Sequence, residues 1–197
     1  MTWLIVGLGN PGPDYAATRH NVGYQAVADL ATRMGGRLAK HKRASALALE
    51  GSLGLPGYSV TAVLAQPLSY MNQSGGPVKA LMQFYDVTEE NLIVLHDELD
   101  IPFGSIRAKF GGGDNGHNGL KSIRKALDNG DYFRVRLGIG RPVGAADPAE
   151  FVLRPFAAAQ RAEVEVMVAR GADAAQSLVF EGLERTQNVF NGDGEVE

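Results

Sequence analysis

The chain has 197 residues, 45% of them hydrophobic, a length that suits one domain with a substantial core. It contains no cysteine, which excludes a disulfide scaffold, thiolate–zinc sites and thiol catalysis, and fits a reducing compartment. The net charge of −3 is unevenly spread: residues 101–141 carry eight Lys/Arg against three Asp, residues 142–197 four Arg against ten acids, and the first hundred seven against nine.

The start runs straight into a strand pattern, with neither a basic n-region nor a long apolar h-region, so no signal peptide is expected. No apolar run approaches the roughly 20 residues of a membrane span. The expectation is a soluble, cytoplasmic monomer without a membrane partner. In chain order, residues 3–6 read as a buried strand, followed by the loop Gly7-Leu8-Gly9-Asn10-Pro11-Gly12. Val22, Ala26, Val27, Leu30, Ala31 and Met34 recur at helical spacing, and Gly35-Gly36 supplies the stop. Residues 40–43 form a short basic run, read as solvated. Residues 44–49 and 58–64 read as strands joined by a Gly/Pro turn.

Pro77 suits a first helical turn, and Val78, Leu81, Met82 and Tyr85 make one apolar face. Residues 92–95 are continuously apolar, as for a strand covered on both sides. Residues 106–110 alternate with Arg107 and Lys109 on one face, and residues 133–139 alternate with Arg134 and Arg136 in the same way. Between them, residues 118–127 predict a helix carrying Lys121, Arg124 and Lys125. Residues 141–148 predict a loop leading into a mobile covering segment. Val164, Met167, Val168, Gly171, Ala175, Leu178, Val179 and Leu183 predict one long C-terminal helix. The pattern implies an α/β chain: a single three-layer domain over 1–190, its twisted mixed β-sheet flanked by helices. Residues 191–197 form a polar tail expected to fray.

The polar motifs sit just after the strands. Thr18-Arg19-His20-Asn21 follows the first glycine loop, Tyr70-Met71-Asn72-Gln73-Ser74-Gly75 follows the third strand, and His96-Asp97-Glu98-Leu99-Asp100 closes the fourth. In open α/β sheets ligands bind beyond the carboxyl ends of the strands. Parallel strands therefore bring Asn10, His20, Asn72 and Asp97 to one edge. With His117-Asn118, at the end of the glycine loop 111–119, the set comprises three amides, two imidazoles and a carboxylate. Such a set suits hydrolysis of a carbonyl compound by water, without a protein nucleophile.

Each residue also has a plainer reading. A lone histidine ahead of a helix is more often a surface or capping residue than a base. Asp97 shifts that balance for His20, because a strand-end carboxylate can fix the tautomer of a ring beside it. Asn10, Asn72 and Asn118 suit turns or caps, Asn118 its own helix. Met71 suits a wall or core position, and Tyr15 and Tyr70 suit either the core or the flanks of a bound ligand. Charge counts alone favour an ordinary mixed surface over a polyanion site.

Gly7 to Gly12 matches G-x-G-x-x-G, but Pro11, Pro13 and Asp14 separate it from the first helix, and no second strand ends in an acid at the expected distance. Nor does Gly119-Leu120-Lys121-Ser122 complete a P-loop. No G-x-S-x-G elbow or His-Glu-x-x-His helix occurs. His20, His96, Asp97 and His117 have no spacing that compels a metal, so neither metal nor cofactor is expected.

Taken together, the motifs from Leu4-Ile5-Val6-Gly7-Leu8-Gly9-Asn10-Pro11-Gly12 to Phe151-Val152-Leu153 resemble the bacterial peptidyl-tRNA hydrolase family, over nearly the whole chain. The resemblance implies hydrolysis of the ester joining a peptide to the 3′ end of tRNA, recycling tRNA from peptides that leave the ribosome early. It implies His20 as the base that activates water and Asp97 as the group that stabilises its charge. It further implies that Asn72 and Asn118 position substrate and water, and that Asn10 senses a blocked amino group. Lys109 and Arg136 match positions that grip acceptor-end phosphate, and His117 lines the same region. Gln66 and Ser69 stand where the family often has Lys and Thr. A noncatalytic RNA-binding relative would lack the His/Asp/Asn set, which this chain retains. A dinucleotide-dependent oxidoreductase would instead use the first glycine loop.

Overall fold

The computed structural model describes residues 1–192. It has a seven-stranded sheet in the order β2-β3-β4-β1-β5-β7-β6. β1 (Thr2–Gly7), β4 (Tyr58–Pro67), β5 (Leu92–Glu98) and β7 (Phe133–Gly138) run parallel. β3 (Ala46–Leu55) returns antiparallel on β4, and β2 (Ala39–Lys40) pairs with β3 at one edge. At the other edge β6 (Ile106–Phe110) lies antiparallel to β7. The basic run after residue 39 thus begins as a two-residue edge strand.

Side-chain alternation on these strands fills two layers. On one face Ile5, Ile93, Leu95, Val135 and Leu137 pack against Ala26, Val27 and Leu30 of α1 (Val22–Arg33) and Met167, Ala172 and Ala175 of α5 (Arg161–Glu181). On the other, Leu4, Val6, Val63 and Val94 meet Val78 and Leu81 of α2 (Gly75–Tyr85) and Leu120 and Ile123 of α3 (Asn118–Leu127). The result is the three-layer α/β fold expected from the alternation of strands and helices.

The C-terminal segment departs from the expected single helix. A short α4 (Pro148–Val152) precedes α5, and the helical run breaks at Gly182, where φ is +82°, before α6 (Leu183–Phe190). Leu183, grouped by spacing with the long helix, belongs to α6. α6 turns back to cover β6. Asn191, the first residue of the presumed tail, accepts from the Ala108 amide at 2.8 Å and donates to its carbonyl at 3.0 Å, and Gln187 donates to the same carbonyl. Residues 193–197 lie outside the described part.

The first glycine loop owes its composition to packing. A Cβ on Gly7 would stand 2.1 Å from the Gly23 carbonyl oxygen, and one on Gly23 would stand 2.3 Å from that of Leu95. These two glycines let α1 settle directly on the ends of β1 and β5. The backbone cannot yield there without moving the strand ends. Gly23→Ala is therefore expected to destabilise the fold by about 1–3 kcal/mol, the usual cost of overpacking. Thermal unfolding checks this: the loss corresponds to ~2–4 °C in Tm per kcal/mol at this chain length.

Candidate active site

β5 is buried along its whole length, so its terminal polar residues reach the carboxyl edge of the sheet already screened from water. Asp97 is 2% exposed. Its Oδ2 lies 2.7 Å from His20 Nδ1 and its Oδ1 lies 2.8 Å from His117 Nε2. His20 is delivered by a 3₁₀ turn (Arg19–Asn21) that runs straight into α1, and His117 stands immediately before α3. Two elements distant in sequence thus converge on one carboxylate.

Hydrogen bonding assigns the tautomers. His117 Nδ1 accepts the backbone N–H groups of Gly119 and Leu120, at 3.1 and 3.3 Å, so the hydrogen of this ring sits on Nε2 and is donated to Asp97. His117, rather than Asn118, is therefore the cap of α3; Asn118 is its first residue, with an exposed side chain. The bond from His20 Nδ1 to Asp97 leaves His20 Nε2 with its lone pair as the basic atom. Burial alone would raise the Asp97 carboxyl, but the electrostatic attraction of the His20 and His117 rings and their N–H donors outweigh it and hold Asp97 well below the usual carboxylate range. His96 is fully buried next door, and its Nδ1 donates to the Asp97 carbonyl at 2.7 Å. Burial, then the neighbouring His117, push His96 far below an ordinary imidazole and keep it neutral.

His20, Asp97 and His117 could also present ligand atoms to a cation, since these atoms lie within 4.8 Å of one another. In the observed arrangement both ring nitrogens spend their hydrogens on the two Asp97 oxygens, so a cation would have to displace both.

Asn10 closes the second side of the site. Its backbone N–H donates to Asn21 Oδ1 and its carbonyl accepts from Asn21 Nδ2, both at 2.9 Å, which ties the first glycine loop to the start of α1. This loop opens no helix directly, as a dinucleotide fingerprint would require. The Asn10 side-chain oxygen accepts from the Met71 amide at 2.7 Å, which turns its NH₂ to the other side. Met71 is buried, its sulfur against Gly119, where an added Cβ would stand 2.6 Å away. Asn72 follows it with an exposed side chain. Tyr15 and Tyr70 flank this corner edge to face, their ring centroids 6.4 Å apart. A cleft of about 360 Å³ runs past His20, Asp97, His117 and Asn118 and is closed by Arg141, Pro148 and Val152.

A second cleft of about 390 Å³ adjoins the first and is lined by Arg107, Lys109, Arg134 and Arg136 from β6 and β7, with His96 at its wall. Glu98 and Asn115 line both clefts. Asn115 adopts the left-handed conformation, φ 48°, which its residue type tolerates. Its Nδ2 donates to Glu98 at 2.5 Å and to Asp100 at 2.6 Å, and Arg141 also binds Asp100. The boundary between the clefts is thus a hydrogen-bonded latch. Burial and then Arg136 and Arg134 lower the pKa of Lys109, a mark of concentrated positive charge.

The structure therefore gathers His20, Asp97, His117 and Asn118 around one cleft, Asn10, Met71, Asn72, Tyr15 and Tyr70 at its side, and Lys109 and Arg136 in the adjoining one. Sequence reasoning gave no role to Asn21, to the Glu98–Asn115–Asp100 latch or to the buried state of Arg134. Asn21 stands inside a quoted motif, and its position one residue after His20 was the available signal.

Fold and cluster together define a three-layer α/β enzyme with an aspartate-oriented imidazole at the carboxyl edge of its sheet. The family model described as Peptidyl-tRNA hydrolase matches residues 4–197. The peptidyl-tRNA hydrolase of Streptomyces avermitilis is 56% identical over 190 residues, covering 96% of this chain and 93% of that protein, and that of Frankia alni is 54% identical over 189 residues. The crystal structure of peptidyl-tRNA hydrolase from Acinetobacter baumannii superposes with a TM-score of 0.85 at 34% identity, over 97% of this chain and 95% of that one. This chain belongs to the peptidyl-tRNA hydrolase family.

The depressed Asp97 pKa carries a sign. The stabilisation is fully present above the unfolded value of about 3.9 and is lost as the pH falls through the lower folded value. The stability gap between wild type and Asp97→Asn, followed by urea unfolding, should be wide at neutral pH and close only in acid. A gap already absent at neutral pH would show that the carboxylate charge contributes nothing.

Proposed function

We propose that this chain is a cytoplasmic, monomeric, single-domain enzyme that hydrolyses peptidyl-tRNA, clearing peptides that leave the ribosome early and returning free tRNA. The observation that carries this reading is the doubly hydrogen-bonded Asp97, which leaves His20 Nε2 as an oriented base beside a cleft that opens onto a cationic one. Among the described residues no helix is long and apolar enough to cross a membrane.

In the proposed mechanism His20 Nε2 takes a proton from a water molecule while the oxygen forms a bond to the ester carbonyl carbon. Asp97 offsets the charge that appears on the ring. The tetrahedral intermediate then collapses: the bond to the 3′ oxygen of the terminal ribose breaks, and His20 returns its proton to that leaving oxygen. Amide N–H groups of Asn72 and Asn118 hold substrate and water. A donor of this type aimed at a developing oxyanion contributes about 10²–10³ in rate.

Asn10 discriminates between substrates by a simple asymmetry. With its oxygen committed to Met71, it offers only donors. A blocked amino group brings a carbonyl acceptor to meet them, whereas a free ammonium brings more donors. Tyr15 and Tyr70 flank the terminal nucleotide and amino acid, with Met71 as the buried wall behind them. Lys109 and Arg136 bind acceptor-stem phosphate in the second cleft.

Release of free tRNA from N-acetyl-aminoacyl-tRNA tests the activity. His20→Ala should lower kcat by at least ~10²–10⁴ with tRNA binding retained; near-normal turnover in the folded variant would sink the assignment. Exhaustive chelation should leave turnover unchanged, because the imidazoles and the carboxylate already satisfy one another; a loss restored by zinc or manganese would make this a metallohydrolase. Lys109→Ala and Arg136→Ala should raise KM more than they lower kcat and should flatten the salt dependence of binding. Equal defects on a short peptidyl-nucleotide ester that lacks the stem would remove these two residues from phosphate binding.

A further inference from the structure

The second cleft is costly as it stands. In the β6–β7 register Lys109 lies opposite Arg134 and Arg107 opposite Arg136, so like charges face each other in both cross-strand pairs, an arrangement that destabilises a sheet. None of the four forms an ion pair among the described residues. Three keep some exposure. Arg134 is 1% exposed.

The Arg134 guanidinium is held entirely by neutral partners. It donates to the carbonyls of Gly113, Gly112 and Gly130, the last two at 2.8 and 3.1 Å, and stacks 4.6 Å from the centre of the Tyr132 ring. Its Nε is buried and has no acceptor. Burial lowers its pKa, and the opposing influences of Tyr132, Asp114 and Glu98 act without an ion pair. A buried cation retained without a counter-charge in a cleft calls for an anion from outside.

Two of the three carbonyls that Arg134 holds lie at the start of the segment that carries His117. Arg134 fixes the carbonyls of Gly112 and Gly113, and Gly112 adopts a left-handed φ of +98°. The next residue, Asp114, accepts from the His117 amide at 2.9 Å, and its carboxylate accepts from Gly116 at 3.0 Å. His117 then donates to Asp97. A chain of hydrogen bonds and a short piece of backbone therefore leads from the cationic cleft to the carboxylate that orients His20.

We propose that Arg134 is a positioning residue that couples phosphate in the second cleft to the geometry of His117 and Asp97, so that an engaged acceptor stem raises kcat as well as affinity. The proposal rests on the phosphate reading of that cleft. An anion beside the guanidinium supplies the missing counter-charge and stabilises the arrangement in which its N–H groups hold the two glycine carbonyls. By linkage, the ordered loop strengthens phosphate binding to the same degree.

The test uses the full-length protein with a short peptidyl-nucleotide ester as substrate and a 5′-phosphorylated acceptor-stem duplex added separately. In wild type, saturating duplex should raise kcat on the short ester several-fold and shift the downfield N–H signals of the imidazoles bound to Asp97. Arg134→Lys keeps the charge but cannot bridge three carbonyls: it should bind the duplex yet lose both the rise and the shift. Lys109→Ala should need more duplex but reach a comparable rise. A rise in Arg134→Lys equal to that of wild type, with only Tm reduced, would make Arg134 merely structural. Should that variant fail to fold, wild type alone decides: duplex that binds without changing kcat or the N–H signals overturns the coupling while phosphate binding stands. Duplex that does not bind at all overturns both.

Discussion

A carboxylate buried at the end of a central strand survives only if its oxygens are satisfied, and here two neighbouring imidazoles do this, one on each oxygen. This requirement organises the whole carboxyl edge of the sheet. It demands a turn ahead of α1 that delivers His20, a cap on α3 that fixes the His117 tautomer, and a neutral His96 behind the strand. α1 reaches its place because Gly7 and Gly23 allow helix and strand backbones to touch. Gly7, the first glycine of a loop that matches a nucleotide signal, is thus part of the support for an acid–base pair.

The polar groups form interlocking layers around that carboxylate. Asn21 grips the Asn10 backbone, Asn10 grips the Met71 amide, and Met71 packs on the first turn of α3, which His117 caps. Asn21 and His117 spend both sides of amide and ring on protein partners, whereas Asn10 commits only its side-chain oxygen and keeps its NH₂. Orientation of donors and acceptors is settled before any substrate arrives, which is how fixed dipoles favour a transition state over bulk water.

Much of this was legible in the residues. Strand and helix periods placed every central strand and predicted the limits of α3, because buried apolar positions repeat wherever an element has one covered face. The placing of His20 and Asp97 at one edge of the sheet followed from the carboxyl-edge rule. What stayed hidden depends on pairings between distant segments. Nothing in the sequence near residue 117 shows that a histidine, not the asparagine beside it, would cap α3, since the choice is made by Asp97 twenty residues upstream. Arg134 and Arg136 occupy equivalent positions in an alternating strand; only the carbonyls folded over β7 bury one and leave the other open. The break at Gly182 was masked by an apolar pattern that continues across it into α6, where the same residues face a different strand.

The turn of α6 onto β6 has a bearing beyond the site. A strand at the border of a sheet offers unpaired amides and carbonyls to any extended chain it meets. At Ala108, in the middle of β6, Asn191 meets both groups with a side chain that imitates a neighbouring strand, and Gln187 reinforces it. The end of α6 therefore acts as a stopper, guarding the protein against self-templated growth at the border that carries its most crowded positive charge.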